Sequence, residues 1–178
     1  MRALAGWLLC AALLSGCGIG DDGVDGKTDA EANAALETQR EEVRAAAADL
    51  VTGAVAALGG RSSNTGGGFE GCESTFNDQY KTFQYRANGR IDAGLDAARP
   101  YLAALAAVLT GAGFSEPVVG ERPGGTTLAA ERGDLTAVFS ELPGQGDYVL
   151  LNVSGPCLEV PEDDRDDWLN RDDPTPYV

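Results

Sequence analysis

Apolar residues recur at helical spacing between Thr28 and Leu58: Leu36, Val43, Leu50, Val51 and Leu58, with Ala47 and Ala54 on the same stripe and Glu37, Arg40, Glu41 and Arg44 largely off it. The period predicts a long helix with one narrow packing face. Thr28 and Glu31, three residues apart, supply a capping box for its first turn. A coiled-coil seam has the same spacing, but two alanines on the stripe argue against strong self-association. Gly59 and Gly60 end the helix, and the polar run Arg61 to Gly68 is expected to be a loop.

Phe76 to Arg86 (FNDQYKTFQYR) alternates Phe83 and Tyr85 against Thr82 and Gln84, as a strand with one buried face does. A second helix is expected from Arg99 to Ala112, with Pro100 in the first turn and a stripe of Tyr101, Leu102, Leu105, Val108, Leu109 and Ala112. Gly113 falls where a left-handed cap belongs and Phe114 where an apolar residue closes it. The period then changes to two. Pro117 to Glu121, Thr126 to Glu131, Leu135 to Leu142 and Tyr148 to Ser154 read as strands joined by short glycine-rich turns, hence as antiparallel hairpins. Val149, Leu151 and Val153 should face the helices, leaving Tyr148, Leu150 and Asn152 opposite.

The order predicts an α+β fold, a two-layer domain with two main helices packed on one face of a mostly antiparallel sheet: helix, strand, helix, then meander. Residues 28–160 form the expected single domain, and 161–178 an acidic tail, PEDDRDDWLNRDDPTPYV. Charge runs of this kind are usually solvated extensions. Trp168 and Leu169 are the exception, placed to dock on the domain or on a partner.

The first residues have a different character. Met1 and Arg2 precede a run from Ala3 to Leu14 with almost no polar side chain. It is too short for the roughly 30 Å hydrocarbon layer, which takes about 20 helical residues, and reads as a cleaved signal peptide. Leu14-Ser15-Gly16-Cys17 follows, then a Gly/Asp stretch, Gly18 to Lys27, with too little apolar surface to order itself. Its DDGVDG lacks the alternate oxygens and closing glutamate of an EF-hand loop, so no metal is expected.

Composition narrows the chemistry. The formal net charge of -15 repels nucleic acid and anionic head groups, so neither is an expected partner. Histidine is absent, which removes Ser-His and Cys-His dyads and the commonest metal ligand. Enzymatic chemistry would need paired carboxylates about 5 to 10 Å apart, as in glycosidases. The candidates are Glu70, Glu73, Asp78, Glu131 and Glu141, among 28 acids that make chance proximity ordinary. No catalytic residue, cofactor or metal is expected. Of the four cysteines, Cys10 leaves with the signal, and Cys72 and Cys157 remain beside Cys17. In an oxidising compartment that pair is expected to form a disulfide. Free redox thiols are the alternative, and they would favour a CxxC spacing absent here.

Leu14-Ser15-Gly16-Cys17 resembles the lipobox of bacterial lipoprotein signal peptides. The resemblance implies alkylation of the Cys17 thiol with diacylglycerol, through palmitate-like acyl chains, and cleavage after Gly16: residues 1–16 signal peptide, residues 17–27 lipidated N-terminus and tether. A plain secretory signal with a coincidental cysteine is the other reading. The arrangement of lipobox, Gly/Asp leash, alanine-rich helix, Tyr85-Arg-Ala-Asn-Gly-Arg90, the helix ending Ala112-Gly113-Phe114 and the late Ser154-Gly-Pro-Cys157 resembles small actinobacterial lipoproteins, which carry no agreed activity. Only two lysines against eleven arginines, with abundant alanine and glycine, fits a high-GC source. The expected function is a noncatalytic, monomeric binding or adaptor domain, lipid-anchored in the cell membrane on the extracytoplasmic face of the cell envelope, for an envelope protein or small ligand. The candidate binding face is Tyr80, Gln84, Arg86, Tyr148 and Asn152, or those residues simply cover a solvated sheet. The alternative function is a structural or accessory part of an envelope assembly, engaged through the first helix or the acidic tail.

Overall fold

The computed structural model describes residues 28–72, 80–94, 101–122, 125–141, 147–173 and 175–178. Cys17, the tether, the signal segment, Glu73 and Asp78 lie outside these, as do the Pro100 and Gly144 turn positions.

Helix α1 spans Asp29–Leu58. Thr28 Oγ1 accepts from the Glu31 amide at 3.3 Å while Glu31 Oε2 accepts from the Thr28 amide at 2.8 Å, completing the capping box. Gly59 ends the helix at φ 68°, a left-handed conformation that costs glycine little. Leu36, Val43, Ala47, Leu50, Val51 and Ala54 are buried as the stripe predicts. Helix α2, Tyr101–Gly111, is closed by Gly113 at φ 83° and by the Phe114 amide, which donates to Leu109 O at 3.0 Å.

Strands β1 (Arg61–Gly71), β2 (Thr82–Asp92), β3 (Val118–Arg122), β4 (Gly125–Arg132), β5 (Leu135–Glu141), β6 (Tyr148–Ser154), β7 (Leu158–Glu159) and β8 (Asp172–Asp173) form one sheet. Its order is β3-β4-β5-β6-β2-β1-β8, with β7 pairing the start of β2, and every described pair is antiparallel. Both main helices lie on one face. Phe83, Tyr85, Ala87 and Ile91 of β2 and Val149, Leu151 and Val153 of β6 meet Leu36, Val43, Leu50 and Val51 of α1 in the core. A Cβ at Gly53 would stand 2.9 Å from Val108 Cγ1, so that glycine lets α1 and α2 cross closely.

Two expectations are corrected. The polar run from Arg61 is not a loop but the strand β1, and the aromatic strand, whose expected start at Phe76 lies outside the described residues, runs from Thr82 through Ala87-Asn88-Gly89-Arg90 to Asp92. β1 has almost no apolar alternation of its own. It is extended because β2 pairs it from Arg61↔Asp92 to Gly71↔Phe83, with a bulge between Ser63 and Gly66.

Cys72 and Cys157 form the expected disulfide, with Cα atoms 6.0 Å apart. Cys72 follows β1 and Cys157 follows β6, the two strands flanking β2, so the bond ties both neighbours of that central strand together at one end. Its loss as Cys72→Ser/Cys157→Ser should cost about 3 kcal/mol. Thermal melts should then fall by about 6 to 12 °C.

Candidate functional site

Alternation along β2 divides the sheet into two chemistries. Odd-numbered residues enter the core, while Gln84, Arg86, Asn88 and Arg90 stand on the face that no described helix covers. Register extends this face across the sheet: Asn88 lies opposite Asn152, Arg86 opposite Ser154, and Ser154 opposite Thr136. Gly66 and Gly68 of β1 lie beside Asn88 and Arg86, and a Cβ at either would meet nothing within 4 Å. Around β2 the face is therefore polar, with its side chains rooted on strands. Its charges are locally matched. Arg86 Nη1 is 3.2 Å from Glu70 Oε2, and Arg90 Nε is 2.6 Å from Asp92 Oδ1. Hydrogen bonding from Arg90, with a second bond from Ser63, holds the Asp92 carboxyl below its ordinary value.

Of the predicted face, Gln84, Arg86 and Asn152 stand together, half-buried, on this side of the sheet. Tyr148 shares the side but is only 8% exposed, with the Arg90 guanidinium 3.8 Å above its ring centroid. Arg90 thus presents itself where the aromatic ring was expected. Tyr80 is not part of the face. It packs against the core beside Phe83, its ring filling the space over Gly71, where a Cβ would come within 2.1 Å of it. The backbone turns at Lys81, between Tyr80 and β2, so simple alternation does not reach back to Tyr80.

The described candidate acids do not converge. Glu70 on β1 and Glu131 on β4 are separated by β2, β6 and β5, hence by four strand spacings, roughly 19 Å. Glu141 alternates with outward-facing Ser140 and accepts the Tyr101 hydroxyl of α2. Burial, with that bond, pushes the Tyr101 hydroxyl up to about 12. Among the described residues no group of three Asp, Glu or Cys is arranged to hold a metal.

At a second site, only the docking of Trp168 on the domain was legible in the sequence. The C-terminal segment folds back instead of extending into solvent. The Trp168 indole donates to Asn33 Oδ1 at 2.7 Å and stands edge-on to Phe69, ring centroids 4.5 Å apart. Beyond it, β8 adds Asp172–Asp173 to the outer edge of β1 opposite Gly68 and Gly67. Asp173, 8% exposed, receives four hydrogen bonds: Arg40 Nε at 2.7 Å, Arg40 Nη2 at 3.2 Å, Arg44 Nη1 at 3.0 Å and the Tyr85 hydroxyl at 2.7 Å. Donation from Arg40, then from Tyr85 with the charge of Arg44, holds this carboxyl well below the usual carboxylate range. Arg40 and Arg44, read from the stripe as a wet helix face, are thus the walls of a carboxylate pocket.

Compared with known proteins, the chain matches no family model and no curated sequence. Its fold is similar to a crystal structure from Mycobacterium tuberculosis provisionally designated the lipoprotein LppA, with 12% identity, a TM-score of 0.48, and coverage of 81% of this chain and 87% of that one. That likeness carries neither family nor function. No described helix is long and apolar enough to cross a membrane.

Proposed function

We propose that the protein is a lipid-anchored, noncatalytic binding domain of a bacterial cell envelope, held on the outer side of the membrane by diacylglycerol on Cys17. The observation that carries the reading is the lipobox-like Leu14-Ser15-Gly16-Cys17 placed at the end of a short apolar segment. Two acyl chains give stable attachment where one gives only marginal binding. The leash of residues 18–27 has a contour of about 35 Å, enough to let the domain stand clear of the head groups. Arginine over lysine, with the alanine and glycine content, supports an actinobacterial source.

The sheet face with Gln84, Arg86, Asn88, Arg90 and Asn152 is the recognition surface in this reading. Side chains rooted on paired strands keep their spacing, which favours a ligand read by several hydrogen bonds at once. The acidic tail supports a recruiting role less well, since Trp168 and Asp173 are buried against their own domain.

Intact mass spectrometry of membrane-extracted protein, wild type against Cys17→Ala, tests the anchor. A wild-type mass for the chain from Cys17 plus diacylglycerol is expected, with the variant lost from the membrane fraction. An unlipidated wild-type mass in the medium would make this a diffusible protein and end the proposal.

A further inference from the structure

We propose that the cleft between α1 and β1 is an acceptor site for an extended, carboxylate-bearing peptide, and that the protein's own C-terminus holds it shut. The tail meets the cleft as a peptide ligand meets a receptor. Among the described tail residues only Asp172 and Asp173 pair with the sheet, at the edge of β1, which is the geometry of strand addition. One carboxylate enters a pocket of two guanidiniums and a phenol. Arg44 also reads the backbone, donating to Thr175 O at 3.0 Å and to Pro176 O at 3.1 Å. Four residues after the aspartate, the Tyr177 hydroxyl donates to Asn88 O at 2.8 Å.

The cleft is cut to this shape by missing side chains. A Cβ at Gly67 would lie 2.3 Å from the Tyr85 hydroxyl, and one at Gly89 would lie 2.7 Å from the Tyr177 hydroxyl. Two glycines therefore clear the seats of the carboxylate and the tyrosine. The backbone that carries the walls is anchored in the core. Arg40 and Arg44 stand on a helix anchored by Leu36, Val43 and Leu50, and Tyr85 on the central strand, itself buried in the core. Thr175, Pro176 and Val178 are exposed even when the tail is seated. Vacated, the cleft would present two cations in a chain of net charge -15, a local preference for acidic partners. The ligand class is thus an extended peptide with aspartate and, four residues on, tyrosine. The inference holds whether or not the chain is lipid-anchored.

The test uses the full chain and a fluorescein-labelled peptide of its last eight residues, RDDPTPYV. Asp173→Asn/Tyr177→Ala weakens two side-chain anchors of the tail without shortening the chain. In fluorescence anisotropy this variant should bind the peptide with a micromolar Kd. Wild type, and the variant carrying Arg44→Gln as well, should bind at least tenfold more weakly. A variant that melts cooperatively yet binds no better than wild type would overturn the proposal. Hydrogen exchange on unaltered wild type gives a second measurement, independent of how the variant folds. The amides of β8, Asp172–Asp173, should exchange by local opening, at least a hundredfold faster than core amides of α1. Amides of β8 that exchange only as fast as that core would mean that the cleft never opens, and the proposal would fall.

Discussion

Asp173→Ala should destabilise the domain by about 3 kcal/mol, the lower end of the cost of breaking a buried ion pair. The lower end is chosen because the Arg40 and Arg44 side chains retain 25% and 13% exposure and can partly rehydrate. Thermal melts at neutral pH should fall by about 6 to 12 °C. The same comparison has a pH signature. A carboxyl whose folded pKa is depressed contributes stability above its unfolded value, near 4, and loses it as pH falls through the folded value. Wild type and Asp173→Ala should therefore converge as the solution is acidified below about pH 4. Burial raises the Tyr85 and Tyr177 hydroxyls, so their contribution is complete below the ordinary tyrosine value and lost as alkali titrates them. Tail docking is strongest between those limits. Melts that separate the two proteins equally at acid and neutral pH would show that the carboxylate charge is not what holds the tail.

The second large effect is expected at Gln39. This side chain is 4% exposed and makes two long-range bonds: its Nε2 donates to Pro156 O at 2.8 Å, and its Oε1 accepts from the Tyr85 amide at 2.6 Å. Gly155-Pro156-Cys157 interrupts the ladder between β6 and β7, both of which pair β2. Tyr85 lies opposite that gap, and a glutamine from the helix bonds its amide. Gln39→Met keeps most of the volume but leaves the buried Tyr85 amide unpaired, at about 1 to 3 kcal/mol, while the carbonyl of the exposed Pro156 can turn to water. Urea unfolding should lose about 1 to 3 kcal/mol with an unchanged slope, as expected when stability alone changes. Exchange of the Tyr85 amide should accelerate in step. A loss under 1 kcal/mol would mean that the gap closes without the glutamine.

Both predictions rest on residues that periodicity cannot find. The long helix, its capping box, the Gly113-Phe114 closure and the four-strand meander were legible because their signals are local. β1 was not. Its sequence RSSNTGGGFEG carries turn residues, and only the neighbour across the ladder makes it a strand. β2 was cut short at Arg86 because Ala87-Asn88-Gly89 carries no large apolar residue to continue the alternation, whereas Gly89 leaves room for Val51 and Tyr177. Gln39 did leave a trace, a polar residue at a stripe position between Leu36 and Val43. Asp173 left none, since one acid in an acidic tail looks like any other until two distant arginines are placed around it. Within the candidate face, alternation located Gln84, Arg86 and Asn152 correctly, and failed at Tyr80 where the backbone turns.

The two edges of the sheet have different fates. At one, the tail pairs with the middle of β1, with Trp168 seated against Phe69 beside it. At the other, β3 is the edge strand among the described residues and carries Val118 and Val119, 70% and 56% exposed. A strand from another molecule could join there, on the edge away from the tail. Two molecules meeting there would use the same edge on both sides and exhaust it, since such a two-fold contact closes on itself. Association through β3 would accordingly stop at a pair.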